Sequence, residues 1–352
     1  MKEALFYETV GEKDAHCFLC SHHCRIKPGE RGKCGVRQND DGVLHALTYA
    51  RPVAAHVDPI EKKPLHHFYP GTTVYSLGTM GCNFRCSFCQ NADIAQTPAG
   101  TGQVVGDWLS PEEVVDAAVD FDCPTIAYTY TEPTVFMEYA LETAQEARSR
   151  GLRNVFVTNG FMTPQALEAI APCLDAANVD LKAFSDNFYR EQCGARLKPV
   201  LETIRLMKAK GIWVELTTLV IPGLNDAPEE LRRLARFIAT TGEDIPWHVS
   251  AFHPAHRLVD RCPTPVETLR MARHIGQDAG LKYVYIGNIA DPEGRHTYCP
   301  VCGARLIDRS QYAGAPTPAL VQGACARCDA RIHGVGMVGM EARHGVLQDK
   351  EK

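Results

Sequence analysis

Cys82, Cys86 and Cys89 stand on the run Gly81-Cys82-Asn83-Phe84-Arg85-Cys86-Ser87-Phe88-Cys89-Gln90, spaced Cys-x3-Cys-x2-Cys with an aromatic residue directly before the last. Three thiolates on one short loop can each hold one iron of a cubane [4Fe–4S] cluster and leave the fourth iron without a protein ligand. A cluster with four protein cysteines mostly carries electrons, whereas an open iron can bind and activate a small molecule. The bland alternatives are a zinc knuckle short of one ligand, or three cysteines of the core. Zinc sites favour Cys-x2-4-Cys pairs and close with a fourth ligand, so the spacing favours the cluster and marks an enzyme.

Two further cysteine groups flank this motif. Cys299-x2-Cys302-x22-Cys325-x2-Cys328 has zinc-ribbon spacing; structural zinc is the leading reading and a single rubredoxin-type iron the alternative. Cys17-x2-Cys20-x3-Cys24-x9-Cys34 suits either zinc or an auxiliary iron–sulfur cluster. His16, His22 and His23 widen that choice, although adjacent histidines are more often surface residues. Cys123, Cys173, Cys193 and Cys262 are scattered, and small buried filler is their default role. Cys193 and Cys262 flank site loops, which leaves a catalytic role open for either.

The chain has 352 residues, fifteen cysteines and a formal net charge of −5. Without a basic block it does not read as a nucleic-acid binder. No long apolar run marks a signal peptide or membrane span. Tight Cys-x2-Cys groupings in a chain of this size read as metal ligands in a reducing compartment, and the expected address is the cytoplasm.

The elements that must position these groups follow an α/β alternation between about residues 73 and 289. Strands are predicted at Thr73–Leu77, Thr125–Tyr130, Asn154–Thr158, Val179–Ala183, Trp213–Val220, His248–Phe252 and Tyr283–Ile286, with helical patterns between them. Ser110-Pro111-Glu112-Glu113 reads as a capped helix start. Seven strands with a period near thirty residues make a full or partial (β/α) barrel the economical architecture. A doubly wound sheet is the alternative, but its Gly-x-Gly-x-x-Gly turn is missing. Three regions follow: a Cys-rich metal-binding region 1–72, a barrel 73–294 and a ribbon-like region 295–352. Each end is too short for a large core and is expected to depend on metal for its shape.

In such a barrel function collects at the carboxyl ends of the strands. Those ends carry the cysteine loop, Tyr130-Thr131-Glu132-Pro133, Thr158-Asn159-Gly160, Asp180-Leu181-Lys182, Phe252-His253-Pro254 and Ile286-Gly287-Asn288. Together with the cysteine spacing they resemble the radical SAM superfamily, in particular its activating-enzyme branch, the relatives of the pyruvate formate-lyase activase. The resemblance implies a (β/α) barrel of the radical SAM type and S-adenosylmethionine (SAM) chelated at the open iron. Glu132 is then expected at the cofactor's amino group, Asp180 and Lys182 beside the cofactor, and His253 at its ribose or carboxylate. Phe88 is expected to shield the cluster and set its backbone against adenine. The set suits a zwitterion, with Lys182 for the carboxylate and Asn159 and Asn288 for hydroxyls. The usual Gly-Gly-Glu-Pro element is altered here, since Tyr130 and Thr131 replace the glycine pair. The plainer readings are a solvated helix start for Glu132, a routine ion pair for Asp180 and Lys182, and a core role for His248.

A narrower resemblance spans nearly the whole chain. His16-Cys17-Phe18-Leu19-Cys20-Ser21-His22-His23-Cys24, Gly32-Lys33-Cys34-Gly35-Val36-Arg37, Pro59–Leu65, Gln90-Asn91, Ala127–Phe136 and the Cys-bearing tail look like the AmmeMemoRadiSam-system radical SAM enzymes. That resemblance implies Memo-like and Amme-type partner proteins and a reductant such as flavodoxin or ferredoxin. The expected activity is reductive cleavage of SAM to a 5′-deoxyadenosyl radical that abstracts hydrogen from a small-molecule or protein substrate. Activation of a glycyl-radical enzyme is one alternative. A non-enzymatic electron carrier is the alternative of another class, disfavoured by the open iron.

Overall fold

The computed structural model describes residues 1–311 and 313–339; residues 340–352 of the expected tail region lie outside them. The chain divides into two compact units. The first holds Met1–Asp58, Val74–Ile212 and Pro254–Arg261; the second holds Pro59–Thr73, Trp213–His253 and the chain from Cys262 onward.

In the first unit, β1 (Pro52–Pro59), β2 (Thr73–Thr79), β3 (Thr125–Tyr128), β4 (Arg153–Thr158) and β5 (Ala176–Asp180) lie side by side in chain order. β2 through β5 are parallel, with Ser76 opposite Ala127, Val155 opposite Ala127 and Phe156 opposite Ala177. Parallel strands need long crossovers, which α1 (Pro111–Asp120), α2 (Met137–Ser149) and α3 (Pro164–Ile170) supply, with α4 (Leu197–Ala209) following β5. α1 starts as expected, Ser110 and Glu113 each bonding the other's backbone amide. All four residues of β3 are buried, the continuous apolar run of a strand covered on both faces. Strand order never reverses within the unit, so the alternation follows the partial-barrel pattern rather than the doubly wound alternative.

Two strands differ from expectation by more than two residues. β5 lies three residues earlier than the predicted Val179–Ala183. Pairing with β4 recruits Ala176 and Asn178, and the chain turns after Asp180 with Leu181 N donating to Val179 O. β1 was not predicted from sequence, because its half-exposed residues break the apolar pattern. The N-terminal segment builds two antiparallel three-stranded sheets, Lys2–Glu3 with Val43–Ala46 and Arg37–Asp40, and Tyr7–Val10 with Asp14–Cys17 and Cys24–Ile26. The buried Arg37 guanidinium pairs with buried Glu138 of α2, fastening these sheets to the barrel helices.

The second unit carries β6 (Trp213–Val220), β7 (Trp247–Ala251) and β8 (Val284–Gly287), parallel and in chain order, with α5 (Pro228–Thr241) and α6 (Val266–Asp278). A buried polar network occupies the amino ends of these strands. Glu215 accepts from His66 N (2.9 Å), His67 N (2.7 Å), Trp213 Nε1 (3.1 Å) and His248 Nε2 (2.7 Å). Its carboxyl is held below the usual range although burial opposes this, chiefly by the bond from His248. His248 is thus a satisfied core residue, as the plainer reading held. His67 Nδ1 donates to His333 O at 2.6 Å, which leaves Nε2 to accept from Tyr285 Oη at 2.5 Å.

The tail folds onto the same strands. Cys299, Leu306, Ile307, Leu320, Cys325, Ile332 and Met337 form one buried cluster with Tyr283 and Tyr285. The apolar packing of the tail is therefore shared with β8 rather than self-contained. Among the described residues no helix is long and apolar enough to cross a membrane.

His67 makes this unit sensitive to acid. Burial pushes its imidazole down to about 4, so the folded state stays neutral where the unfolded chain takes up a proton. The contribution is complete above the unfolded value near 6.5 and is lost as pH falls from there toward 4. Roughly 3 kcal/mol disappears across that window. His67→Gln, which keeps a donor and an acceptor without titrating, is expected to flatten the pH dependence of urea unfolding relative to wild type. Parallel profiles for the two proteins refute this role.

Candidate cluster and cofactor site

β2 delivers the chain straight into the cysteine loop. Gly81, at φ 99°, is needed there: a Cβ on it would meet Val36 at 2.6 Å and Cys34 O at 3.2 Å, and φ in this region favours glycine. The Cys82, Cys86 and Cys89 thiols are all free. Phe84 N donates to Cys82 Sγ at 3.3 Å, and Asn159 Nδ2 lies 3.8 Å from the same sulfur. Amide donors aimed at a sulfur stabilise it as a thiolate, and the Asn83 amide nitrogen is buried without a protein acceptor. This donor set fits a [4Fe–4S] cluster.

Several contacts shape the loop. Arg85 Nη1 donates to Cys82 O (2.8 Å) and Phe84 O (2.7 Å), and its Nη2 bonds Lys33 O. Gln96 Nε2 donates to Cys86 O at 2.9 Å. Phe84 packs edge-on to Phe161 with centroids 5.3 Å apart. Phe88 is buried, with Phe188 at 5.9 Å and Lys182 Nζ 5.7 Å from its ring centroid.

Glu132 is 1% exposed, which rules out the solvated helix start. Its Oε1 accepts from Thr134 N (3.0 Å), Thr134 Oγ1 (2.5 Å) and Thr158 Oγ1 (2.7 Å), while Oε2 accepts only Asn159 N (2.8 Å). Burial pushes its carboxyl up, against the pull of these donors. Oε2 retains acceptor capacity for a further donor. Asn159 Nδ2 also donates to Asn83 Oδ1 at 2.7 Å, so the ends of β3 and β4 are wired to the cysteine loop. Lys182 Nζ and Asp180 Oδ2 form a 3.0 Å ion pair near Cys86. Burial alone would lower the Lys182 ammonium, but Asp180 and the neighbouring thiols hold it well above the usual lysine range.

The Tyr130-Thr131 departure from the glycine pair has a local account. Tyr130 adopts φ 66°, a conformation glycine takes without cost. Its hydroxyl donates to Asp58 Oδ2 at 2.8 Å and its carbonyl accepts from Asn91 Nδ2 at 2.7 Å. These tertiary contacts hold the turn that glycine would otherwise allow.

His253, in the second unit, is exposed and its Nε2 lies 3.1 Å from Asn288 O; Asn288 Nδ2 donates to Ala251 O at 3.3 Å. In the tail, Cys299 and Cys328 sulfurs are 3.5 Å apart, as are Cys302 and Cys325, and all four lie within 4.8 Å of one another. Such closure suits one tetrahedral ion. Near the N-terminus, Cys17 and Cys24 face each other across antiparallel strands, and a Cβ at Gly32 would lie 3.9 Å from both the Cys24 and Cys34 sulfurs. Among the described residues only the tail set meets the tighter closure.

Some residues at the site escaped sequence reasoning. Asn83 lies inside the motif, yet nothing in the spacing marks it as the partner of Asn159. His22, which sequence leaves between a ligand and a surface residue, donates its Nε2 to Asn83 O at 2.7 Å, and burial lowers its imidazole to about 4, so it stays neutral there. Asp58 carries no local signal either, because its role depends on a tyrosine far along the chain.

Residues 77–238 match the Radical SAM superfamily profile. An uncharacterised protein of Methanocaldococcus jannaschii is 48% identical over 310 residues, 88% of this chain and 92% of its own length. The pyruvate formate-lyase 1-activating enzyme of Escherichia coli is 22% identical over 218 residues, 58% of this chain and 89% of its own. Among solved structures, Streptococcus suis SuiB bound to precursor peptide SuiA superposes with a TM-score of 0.50 at 13% identity, over 66% of this chain and 51% of its own. At that identity the likeness concerns the fold alone.

Proposed function

Because the chain belongs to the radical SAM superfamily of enzymes, we propose that Cys82, Cys86 and Cys89 hold its [4Fe–4S] cluster and that the ends of β3, β4 and β5 hold SAM. When bound, the cluster supplies the electron that cleaves SAM to a 5′-deoxyadenosyl radical, which takes a hydrogen atom from the substrate. The observation that carries the reading is the wiring of Glu132 through Asn159 and Asn83 to Cys82. Glu132 Oε2 receives the ammonium of SAM, Lys182 with Asp180 faces its carboxylate, and Asn159 orients the loop. Phe88 shields the cysteine loop, and His253 is assigned to the ribose or carboxylate of SAM by the family resemblance alone. Burial of Glu132, Asn159 and Phe88 excludes water from the reacting centre.

Anaerobic reconstitution with iron and sulfide, then dithionite and SAM, is expected to yield 5′-deoxyadenosine; a reconstituted cluster that gives none refutes the reading. In the same preparation Glu132→Gln is expected to weaken SAM binding by on the order of 1.5–3 kcal/mol while leaving iron content unchanged. Unaltered affinity in an anaerobic titration removes Glu132 from the site.

Two finer points belong to this reading. The substrate is a small molecule or a protein, and likeness to the Escherichia coli activating enzyme favours testing a glycyl-radical enzyme as the protein substrate. The N-terminal and tail motifs favour an AmmeMemoRadiSam-type role with Memo-like and Amme-type partners, electrons from flavodoxin or ferredoxin, and a cytoplasmic setting. Zinc in the Cys299–Cys328 set, and zinc or an auxiliary iron–sulfur cluster at Cys17, Cys20, Cys24 and Cys34, complete the inventory. The working regions are 1–72, 73–294 and 295–352.

A further inference from the structure

Tyr130 stands two residues before Glu132, and its φ of 66° lies in the left-handed region that is costly for a residue with a Cβ. Three bonds converge on this turn. Tyr130 Oη donates to Asp58 Oδ2 of β1 at 2.8 Å, and Asn91 Nδ2 donates to Tyr130 O at 2.7 Å. Thr131 Oγ1 donates to Thr79 O, at the end of β2, at 2.8 Å. Asn91 is the second residue past Cys89, so the turn is tied to the end of the cysteine loop. Beside the tyrosine, Gly78 makes room: a Cβ there would meet Thr129 O at 2.6 Å and the Cβ and Cδ2 atoms of Tyr130 at 3.1 Å.

The three bonds differ in kind. Those at Tyr130 O and Thr131 Oγ1 do not use the Tyr130 side chain, so a glycine at the same position would keep them. Of the three, the bond to Asp58 alone requires the tyrosine. Its acceptor is a carboxylate on a residue 8% exposed, and a hydrogen bond to an ionised acceptor is about twice as strong as a neutral one. That bond offsets a conformational cost that glycine would not incur. Without it Tyr130 relaxes toward negative φ and rotates the peptide that Asn91 holds. Glu132, two residues on, then swings away from Thr158 Oγ1 and Asn159 N, and its Oε2 no longer points where those bonds aim it.

We propose that Tyr130 and Asp58 are positioning residues for SAM, their bond holding the left-handed turn that aims Glu132 at the ammonium of the cofactor. This rests on the assignment of Glu132 made under the proposed function. The test is anaerobic titration of the reconstituted full-length protein with SAM, with iron content and thermal midpoint recorded for every variant. Tyr130→Phe and Asp58→Ala are each expected to weaken SAM binding about tenfold at unchanged iron content. The double variant is expected to lose about the same factor and no more, because both changes remove one bond. Asp58→Asn, which keeps an oxygen acceptor, is expected to stay within about threefold of wild type. Tyr130→Gly removes more atoms than Tyr130→Phe yet is expected to bind SAM more tightly than it does, since glycine takes φ 66° without the bond. A side chain that only fills space would give the reverse order. Wild-type affinity in Tyr130→Phe or Asp58→Ala overturns the proposal, as do losses that multiply to about a hundredfold in the double variant. A glycine variant weaker than the phenylalanine variant overturns it too. If Tyr130→Phe or Asp58→Ala fails to assemble a cluster, the other decides with Asp58→Asn: a loss in the first and near wild-type affinity in the second supports the proposal, and any other pattern overturns it. A wild-type cluster that binds no SAM, or wild-type affinity in Glu132→Gln, defeats the reading of Glu132 itself. A weakened Glu132→Gln beside an unaffected Tyr130→Phe defeats this proposal alone.

Discussion

Cys82→Ala, Cys86→Ala and Cys89→Ala are each expected to abolish both the thiolate-to-iron charge-transfer absorption and the formation of 5′-deoxyadenosine. The loss should exceed the roughly 10–100-fold penalty typical of changing a group behind a metal ligand, because on the proposed assignment each variant removes a ligand. The three thiols share one loop whose backbone is fixed from several directions, by Gln96 at Cys86 O, Arg85 at Cys82 O and the 189–193 turn. The loop therefore has little freedom to recruit a substitute thiol. Circular dichroism should show a folded protein in each case, since these contacts run through backbone atoms that alanine retains. A variant that still assembles a SAM-cleaving cluster refutes the assignment.

The second large effect is expected at the tail. Removing the zinc proposed there with a chelator, or by Cys299→Ser, should lower the thermal midpoint and open the tail to proteolysis. Structural zinc contributes about 10–16 kcal/mol of apparent binding free energy in small zinc domains, so a domain of ordinary stability has no reserve to replace it. Cys299 and Cys325 are buried in one cluster with Tyr283 and Tyr285, which should carry the loosening into β8. The closed four-sulfur set leaves no open position for substrate. Metal analysis should accordingly show one zinc lost, with the iron of the central cluster retained. Loss of iron and of a paramagnetic signal at constant zinc would make the tail a redox centre and overturn the structural role.

Much of the chemistry is local in sequence and was legible there. The spacing of Cys82, Cys86 and Cys89 puts three thiols on one loop, and the paired knuckles of the tail predict the four-sulfur closure that the structure shows. The strand–helix period identified the α/β class because each crossover buries its own apolar face, and Ser110-Pro111-Glu112-Glu113 marked a helix start through bonds within one turn. The tertiary structure decided what depends on distant partners. The extent of β5 follows from pairing with β4, since its alanines have no strong strand preference of their own. Tyr130 holds a left-handed turn through Asp58 and Asn91. The turn ending at Cys193, which no local spacing marks, holds the cysteine loop through the bond from Arg85 N to Cys193 O. Chelation and capping act across a few residues and can be read from spacing, whereas burial, shared hydrogen bonds and donor direction exist only once the sheet brings remote segments into contact.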